Sequence, residues 1–330
     1  MASPAIKGKV VLVTGGTGSF GTSFTRALLA EHEPAAIRIY SRDELKQSEL
    51  ARELDDDRLR FLLGDVRSVE RLNLALRGVD VVVHAAAMKH VMACEYNPFE
   101  AVQTNVLGAE NVVSAALTNN VPRVIALSTD KAVNPVNLYG ATKLCAEKIV
   151  TQANSYVGDS PARFCSVRYG NVVGSSGSVV PLFRQQAELG ELTLTDETMT
   201  RFWITLEQAV AFVIESLERM HGGEVFVPKI PSMKIADLAE AIAPGAKRKI
   251  IGIRPGEKVH EVLLTEDECR HARAFDDHFV IHPSFRFWRR DDEEPDGEEL
   301  PPAFRYASDT NDQWLTPAEL RELAGLDGVL

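Results

Sequence analysis

The chain has 330 residues, of which 45% are hydrophobic and 25% charged, the ordinary mixture of a globular protein. Its formal net charge of −11 argues against a nucleic acid or an anionic membrane surface as the main partner. No run approaches the roughly 20 apolar residues that cross a bilayer, and the first residues lack a signal-peptide pattern, so a cytoplasmic location is expected.

Short apolar runs alternate with helix-length amphipathic segments through the N-terminal half. The runs predicted as strands are residues 9–14, 37–41, 60–65, 79–86, 123–129 and 163–168. The helices expected between them are 19–31, 43–54, 68–77, 98–119 and 139–157. Nearly continuous apolar strands are typical of a parallel sheet covered by helices on both faces. The alternation therefore predicts a Rossmann-type, doubly wound α/β fold with right-handed crossovers.

The alternation of apolar runs and amphipathic segments ends after about residue 170. Residues 1–170 are therefore predicted as a cofactor-binding domain, and 171–330 as a smaller substrate-binding lobe interleaved with the end of the sheet. Residues 171–205 are expected to be loop-rich, and the polar stretch 289–302 to be a solvated loop. The elements expected between them are helices at 206–221 and 235–243 and strands at 224–228 and 248–253.

The cysteines indicate a reducing compartment. The four of them, Cys94, Cys145, Cys165 and Cys269, are scattered without CxxC spacing. Disulfide bonds and metal ligands are therefore not expected. The prediction is buried free thiols and no metal site.

A glycine-rich turn follows the first predicted strand. Residues 14–21 read TGGTGSFG, with glycines at positions 15, 18 and 21. Such glycines permit a tight turn, close approach of the backbone to a pyrophosphate, and close packing of the next helix. The N-terminus of that helix offers N–H groups to the phosphates. Between a buried strand and a helix, this pattern predicts a dinucleotide site.

The end of the second predicted strand favours NADP over NAD. NAD sites usually place a carboxylate there for the ribose 2′-hydroxyl, whereas this chain has Ser41 and Arg42, with Lys46 one helical turn further on. That arrangement suits a 2′-phosphate. Asp43 is left open as a ribose ligand or a helix N-cap.

Other cofactor residues are expected at the ends of the next strands. Asp65 is expected near the adenine, and capping the helix that begins near Val69 is an equally open role. The whole predicted cofactor site comprises Gly15, Thr17, Gly18, Ser19, Phe20, Gly21, Ser41, Arg42, Lys46, Asp65, Val66, Ala85, Ala86, Ala87, Tyr139 and Lys143. His84, inside the fourth strand, is predicted to be a hydrogen-bonded core histidine.

A tyrosine and a lysine follow the fifth predicted strand, which ends at Ser128 and Thr129. Tyr139 and Lys143 share one helix face because they are four residues apart. A lysine ammonium beside the phenol is expected to lower the pKa of the tyrosine from about 10, which lets it take a proton from a sugar hydroxyl. The pair is specific here because it follows a dinucleotide turn and a strand ending in Ser-Thr.

The chain carries several more short motifs. They are AAMKHV (86–91), EYNP (95–98), TN (104–105), STDKAVNPVNLYGATK (128–143), MTRFW (199–203), RPGEK (254–258) and QWL (313–315). The glycine turn and the Tyr/Lys pair resemble the extended short-chain dehydrogenase/reductases, most of which act on nucleotide sugars. The further motifs resemble one branch, the inverting UDP-N-acetylglucosamine 4,6-dehydratases, which start pseudaminic acid synthesis. This resemblance covers nearly the whole chain.

The resemblance implies that NADP⁺ oxidises C4 of the sugar, that water is lost across C5 and C6, and that hydride returns to C6. Tyr139 is expected to deprotonate the C4 hydroxyl, Lys143 to hold the nicotinamide ribose, and Thr129 to hydrogen-bond the C4 oxygen. A neutral Lys131 would remove H5, and a protonated Asp130 would donate to the leaving C6 hydroxyl. Retaining 4,6-dehydratases typically have Asp-Glu in place of this Asp-Lys.

The same resemblance implies the substrate site and the assembly. The substrate residues are Lys89, Asn171, Arg201, Arg254, Glu257 and Lys258. The two arginines are the first choices for the diphosphate, because a guanidinium binds it bidentately. Met92 stands where the branch commonly has proline and is expected to alter a turn beside the site. A homo-oligomer, from dimer to hexamer, is expected.

Two other functions are left open by the residues. A nucleotide-sugar 4-epimerase uses the same Tyr/Lys pair but needs no acid and base for elimination, so Asp130 and Lys131 argue against it. A non-catalytic NADP-sensing Rossmann protein typically lacks the tyrosine or the lysine, and this chain has both.

Overall fold

The computed structural model describes residues 2–173, 179–285 and 296–323. Six parallel strands form the N-terminal half: β1 (Val10–Thr14), β2 (Ala36–Ser41), β3 (Leu59–Leu63), β4 (Val81–His84), β5 (Arg123–Thr129) and β6 (Arg163–Tyr169). Their spatial order is β3-β2-β1-β4-β5-β6, which is the order of a Rossmann sheet. The predicted fold class is confirmed.

Alternate residues of the central strands enter two different cores. In β1, Val11 and Val13 pack on one face of the sheet, while Leu12 packs on the other. In β5, Ile125 joins the first core and Val124 the second. Since both faces are covered, the strands are apolar throughout instead of alternating with polar residues.

Helices cover both faces of this sheet. They are α1 (Ser19–Ala27), α2 (Glu44–Leu54), α3 (Val69–Ala75), α4 (Val91–Tyr96), α5 (Pro98–Ala101), α6 (Gly108–Thr118) and α7 (Leu138–Gln152). The helix expected at 98–119 is α5, a π-helical segment at Val102–Leu107, and α6 in succession. Helix α4 was not predicted by the sequence pattern.

Helix caps explain where two of these helices begin. The Asp43 side chain accepts a hydrogen bond from Lys46 N at 3.0 Å and caps α2. Ser68, not Asp65, caps α3, because its hydroxyl accepts from Arg71 N. The capping alternative is therefore correct for Asp43 and wrong for Asp65.

The described residues of the C-terminal half add short strands and four helices. The strands are β7 (Asn171–Val172), β8 (Glu191–Leu194), β9 (Thr200–Ile204), β10 (Val225–Pro228), β11 (Ser232–Lys234), β12 (Lys247–Ile250), β13 (Val262–Leu264), β14 (Ala272–Ala274), β15 (His278–Ile281), β16 (Glu298–Glu299) and β17 (Tyr306–Ala307). The helices are α8 (Val179–Ala187), α9 (Leu206–Arg219), α10 (Ile235–Ile242) and α11 (Pro317–Leu323). Residues 171–205 thus contain three strands and a helix where loops were expected, because the strands are too short to show a period.

Part of the C-terminal half completes the large sheet. Strand β10 pairs in parallel with β6, and β15, β14 and β16 follow it at the edge in antiparallel pairs. Of the stretch 289–302, residues 289–295 lie outside the described residues. Its described part includes β16, whose two glutamates are exposed.

A small lobe built from two short sheets lies next to the large sheet. Strands β11, β9 and β7 form one small sheet, and β12 with β8 forms another. Trp203, Met233 and Leu238 belong to the core that joins them to α10. This lobe faces the carboxyl ends of the parallel strands, where open α/β sheets bind ligands.

The cysteines agree in part with the expected buried free thiols. All four thiols are free, and Cys94, Cys165 and Cys269 are buried, but Cys145 is exposed on α7. No helix of the described residues is long and apolar enough to span a bilayer. The described residues contain no group of three or more side chains suited to hold a metal ion.

Candidate active site

A cleft of about 880 Å³ lies between the ends of the parallel strands and the small lobe. All sixteen predicted cofactor residues line it. Predicted substrate and catalytic residues that also line it are Lys89, Thr129, Lys131 and Asn171. The small lobe contributes Val172, Val179, Trp203 and Leu206. The sequence therefore predicted the residues that line the cleft on the side of the parallel strand ends, but few of those on the side of the small lobe.

The glycine turn provides a cradle that side chains would fill. Gly15 has φ of 65°, and a Cβ on it would lie 2.9 Å from the Ala86 Cα. A Cβ on Gly21 would lie 2.5 Å from the Gly16 Cα, so α1 packs directly on the turn. Gly18 caps α1 without a side-chain hydrogen bond. The residues therefore fit a dinucleotide pyrophosphate against backbone N–H groups.

At the end of β2 the charged side chains have specific partners. Arg42 Nη1 lies 3.5 Å from Asp65 Oδ2, and Lys46 Nζ lies 3.6 Å from Asp43 Oδ2. Both cations have side chains about 60% exposed, at 59% and 61%. Ser41 Oγ accepts a hydrogen bond from Gln47 Nε2 at 3.0 Å. Asp43 caps α2, and both Asp43 and Asp65 line the cleft beside these two cations.

The segment after β4 is held by one buried asparagine. Asn105 Oδ1 accepts from Met88 N at 2.8 Å, and its Nδ2 donates to Met88 O at 2.9 Å. The same amide group contacts Thr142 Oγ1 at 3.0 Å, which ties the segment to α7. His84 is 2% exposed and hydrogen-bonds Thr14 at 2.8 Å, as predicted for a core histidine. Burial lowers the pKa of His84 to about 3, so it is neutral.

The end of β5 holds a buried ion pair. Lys131 Nζ donates to Asp130 Oδ1 at 2.8 Å and to Asn171 Oδ1 at 3.0 Å. Asp130 is fully buried, and Thr129 Oγ1 donates to its Oδ1 at 2.8 Å. The Asp130 side chain does not line the cleft directly but lies behind that of Lys131. Gly140 lets this turn pack on α7, because a Cβ there would overlap the Lys131 carbonyl oxygen.

The charge of Lys131 differs from the neutral form expected. Burial alone lowers the pKa of Lys131, but Asp130 and Glu261 together raise it above its ordinary value. Lys131 is therefore an ammonium in the absence of ligands. A role as base requires that its proton first move to a neighbour.

The Tyr/Lys pair is buried in the cleft wall, and its pKa shifts differ from expectation. Burial raises the pKa of Tyr139 to about 12, and the positive charge that most opposes this rise is that of Lys131. Lys143 Nζ donates to Leu127 O at 2.6 Å, and burial lowers the pKa of Lys143 to about 8. The expectation that Lys143 lowers the pKa of Tyr139 is not met in this ligand-free state, because the ammonium is directed to a carbonyl.

Behind the ion pair lies a cluster that the sequence did not predict. Glu261, just before β13, is 4% exposed, and its Oε1 lies 3.7 Å from Lys131 Nζ. Arg201 and Lys258 lie on either side of it, at 3.8 Å and 3.6 Å. No periodicity or motif spacing relates Glu261 to Lys131, since only the folded chain brings β13 against the turn at Asp130–Ala132 that follows β5.

Most of the predicted substrate cations have protein partners already. Arg201 is 8% exposed and donates to the carbonyls of Thr200, Val259 and Lys258. Lys258 Nζ donates to Val133 O at 2.5 Å. Neither side chain lines the cleft, and their roles as substrate ligands stay predictions.

The loop before Glu261 and the start of α4 lie at the rim. Arg254 has a side chain 50% exposed and lies 3.7 Å from Glu257, and neither lines the cleft. Met92 is the second residue of α4 and 67% exposed. The first turn of a helix accepts proline readily, so a Met-for-Pro difference there leaves the helix start intact.

A second buried network supports the site from below. Ser128 Oγ donates to Glu147 Oε2 at 2.6 Å, and Arg168 Nη2 donates to Glu147 Oε1 at 2.5 Å. Arg168, 1% exposed, also donates to Glu268 at 2.9 Å and to Leu263 O at 2.8 Å. This network joins α7, β6 and the segment after β13.

The cleft thus combines a Rossmann sheet, a glycine cradle, and a Tyr/Lys pair beside an Asp–Lys ion pair. A family model described as "Polysaccharide biosynthesis protein" matches residues 11–283. The chain belongs to this family. Among its relatives, the UDP-N-acetylglucosamine 4,6-dehydratase (inverting) of Campylobacter jejuni is 51% identical over 323 residues, covering 96% of this chain and 97% of that protein.

Other proteins to which this chain is similar carry other names. A UDP-glucose 4-epimerase of Rickettsia canadensis is 43% identical over 281 residues, covering 83% of this chain and 82% of that one. The solved structure of Pen from Bacillus thuringiensis has a TM-score of 0.89 at 39% identity, covering 98% of this chain and 99% of its own. DesIV, a dTDP-glucose 4,6-dehydratase from Streptomyces venezuelae solved with NAD bound, has a TM-score of 0.67 at 24% identity, covering 76% and 86%.

Proposed function

We propose that this chain is a C5-inverting UDP-N-acetylglucosamine 4,6-dehydratase, dependent on a nicotinamide cofactor. The observation that carries the proposal is the Asp130–Lys131 ion pair, 2.8 Å long, beside Tyr139 in a cleft that ends in a dinucleotide cradle. The product would be UDP-2-acetamido-2,6-dideoxy-β-L-arabino-hexos-4-ulose. The relative that is 51% identical over nearly the whole chain has this activity in its name.

Tyr139 acts on the C4 hydroxyl in this scheme. A nicotinamide cofactor held by the glycine turn and Lys143 would supply hydride acceptance from C4 and hydride return to C6. Tyr139 takes the C4 hydroxyl proton, and Thr129 hydrogen-bonds the C4 oxygen. Burial holds the pKa of Tyr139 at about 12, so ionisation of the phenol depends on positive charge brought close to it. Lys131 supplies part of that charge, and Lys143 supplies more once it turns from Leu127 O to the ribose.

The elimination needs one base and one acid. A ketone at C4 makes H5 acidic enough for an amine to remove. The ion pair of Lys131 and Asp130 contains one proton that can move over 2.8 Å, which gives a neutral amine and a carboxylic acid. Lys131 then takes H5 while Asp130 protonates the leaving C6 hydroxyl. Both groups thereby return to the ionic form. After hydride has been added at C6, a proton from solvent is added to C5 from the face opposite to the lost H5, which inverts C5 and accounts for deuterium there in deuterated water.

The substrate diphosphate is assigned to the cationic rim. Arg254 is the more exposed of the two candidate arginines, and Lys89 lines the cleft beside the sugar end. Asn171 contacts the Lys131 ammonium and is placed to hold it while the sugar binds. Arg201, Glu257 and Lys258 remain part of the assigned site. A guanidinium binds a diphosphate bidentately, which makes Arg254 the principal ligand in this assignment.

NADP is the proposed form of the cofactor. Arg42 and Lys46 line the cleft at the end of β2 with exposed side chains, while Asp43 is engaged at the start of α2. Two exposed cations at this strand end suit a 2′-phosphate, although each has a carboxylate within 3.6 Å. Asp65, 3.5 Å from Arg42, orients that guanidinium toward the cleft.

The setting of the enzyme is part of the proposal. Its free thiols suit the cytoplasm, and its product suits entry into pseudaminic acid synthesis. A homo-oligomer, from dimer to hexamer, is supported by exposed apolar side chains on one helical stretch. These are Met92, Tyr96, Phe99, Val102 and Leu107.

The decisive experiment is proton NMR of the purified protein with NADP⁺ and UDP-N-acetylglucosamine in deuterated water. We expect a new methyl signal at C6, deuterium at C5, and couplings of the L-arabino configuration. A UDP-N-acetylgalactosamine spectrum with C6 still hydroxylated would instead identify a 4-epimerase.

The 4-epimerase is the second candidate because Rickettsia epimerases are 43% identical over most of the chain. Tyr139 and Lys143 serve such an enzyme equally well. An epimerase has no use for the Asp130–Lys131 pair, however, since nothing is eliminated. A non-catalytic NADP sensor would bind cofactor without consuming any nucleotide sugar in the same experiment.

A further inference from the structure

Glu261 has an unusual environment for a buried carboxylate. Three cations surround it at 3.6–3.8 Å: Lys131, Arg201 and Lys258. None of these separations is a hydrogen bond, and among the described residues its Oε2 has no hydrogen-bond partner. Burying a carboxylate without hydrogen bonds is costly, so its retention needs a reason.

The cluster around Glu261 has an excess of positive charge. Three cations and two carboxylates, Glu261 and Asp130, share a buried volume and leave one net positive charge. The other titratable groups that face it are Tyr139 from α7, whose phenol is neutral, and His260, whose Nδ1 hydrogen-bonds Thr200 Oγ1 at 2.8 Å. Glu261 therefore supplies one of the two negative charges that partly offset three positive ones.

We propose that Glu261 is a positioning residue for the elimination step: its carboxylate holds the Lys131 side chain against Asp130 from behind and retains the one proton that these two groups share. The inference rests on the proposed dehydratase function. Glu261 is absent from the cleft lining and touches no reacting atom, so it acts through Lys131.

The charge of Glu261 matters because the Lys131–Asp130 pair works with one shared proton. With that proton lost, Asp130 has nothing to donate to the C6 hydroxyl. A positive environment favours its loss, and Arg201 and Lys258 provide that environment. Glu261 offsets them and keeps the pair singly protonated to higher pH. Removal of Glu261 leaves the cluster with two net positive charges.

The test is the pH dependence of dehydration at saturating substrate. At high pH the Lys131–Asp130 pair loses its shared proton and dehydration stops, which gives the pH profile an alkaline limb. The pH at which the rate falls to half its maximum on this limb therefore reports the pKa of the pair. In Glu261→Gln we expect this pH to fall by about 1 unit or more, the size of effect that a charge within about 4 to 6 Å produces. A defect of packing would lower the rate at every pH without moving the limb.

Lys258→Met provides the test of opposite sign. It removes a positive charge on the other side of Glu261, so we expect the alkaline limb to move to higher pH. If Glu261→Gln does not fold, Lys258→Met still tests the proposal. Glu299→Gln, on the exposed strand β16, is the matched control and should leave the profile unchanged.

The outcomes distinguish a failure of the role proposed for Glu261 from a failure of the proposed dehydratase function. Limbs that move in opposite directions in Glu261→Gln and Lys258→Met support the proposal. A limb that stays in place in either folded variant, while the unaltered protein dehydrates normally, overturns the role of Glu261 alone. If the unaltered protein releases no dehydrated sugar, the dehydratase function fails and the role of Glu261 fails with it.

Discussion

The two walls of the cleft bind by different means. The cofactor wall consists of strand ends and the glycine turn, and its contacts come from backbone N–H groups and from residues close together in the sequence. The opposite wall includes Lys131, just after β5, and behind it lies a charged cluster from β9 and the segment before β13 that does not itself line the cleft. Gly15 and Gly21 serve the first wall by having no side chain, whereas Lys131 and Glu261 serve the second by the charge they carry.

This difference separates binding from chemistry. Backbone N–H groups hold a pyrophosphate at any pH near neutrality, because they do not titrate. In the proposed mechanism the second wall moves a proton between Lys131 and Asp130, and that step depends on the balance of five ionised groups. Substitutions in the first wall should therefore change affinity, and those in the second should change rate and pH dependence.

The largest expected effect is on the catalytic side chains. Lys131→Ala should lower the rate of dehydration by about 10²- to 10⁴-fold, because the base that removes H5 is lost. C4 oxidation should persist, since Tyr139 remains. The measurement pairs product formation by NMR with absorbance of the reduced cofactor in a single turnover.

Tyr139→Phe is the comparison for that variant. It should lose cofactor reduction and dehydration together, because C4 is no longer deprotonated. Unchanged dehydration in Lys131→Ala would remove Lys131 from the mechanism.

The next effect is on the network that joins the two walls. Arg168→Met should destabilise the fold by about 3 to 5 kcal/mol, because it leaves Glu147 and Glu268 buried without their cation. Urea unfolding measures this change. Arg26→Met, which breaks an exposed pair with Glu53, is the control and should cost about 1 kcal/mol or less.

The pH dependence of stability checks the same network. Burial raises the pKa of Glu268, but the charge and hydrogen bonds of Arg168 outweigh it and lower that pKa below its ordinary value. The stabilisation is therefore present above the ordinary carboxyl pKa and is lost as pH falls through the lowered one. Arg168→Met should flatten this acid limb of the stability curve, and an unaltered limb would contradict the assignment.

The smallest effect is on cofactor choice. Arg42→Ala should weaken NADP⁺ binding by about tenfold, equivalent to about 1.4 kcal/mol, because an exposed guanidinium no longer contacts the 2′-phosphate. Binding of NAD⁺ should change little. Calorimetric titration with both cofactors measures the ratio, and equal weakening of the two would show that Arg42 does not read the phosphate.

Local patterns predicted the cofactor wall well for a physical reason. Its residues follow buried parallel strands, and the carboxyl ends of such strands meet at one edge of the sheet. The sequence pattern offered Asp65 as the cap of α3, whereas Ser68 is the cap in the structure. A cap depends on backbone geometry over three residues, which a composition pattern does not resolve. The small lobe was predicted poorly, since β7, β9 and β11 are two to five residues long and draw their stability from tertiary packing.

The sequence by itself determined the Rossmann sheet, the dinucleotide turn and the identity of Thr129, Asp130, Lys131 and Tyr139 as neighbours, because each depends on periodicity or on short separation along the chain. Only the tertiary structure decided their electrostatics. The charge of Lys131 depends on Glu261, which reaches it from a distant segment, and the raised pKa of Tyr139 depends on burial by the assembled cleft. Charge and burial are properties of the whole fold, and no short stretch of sequence contains them.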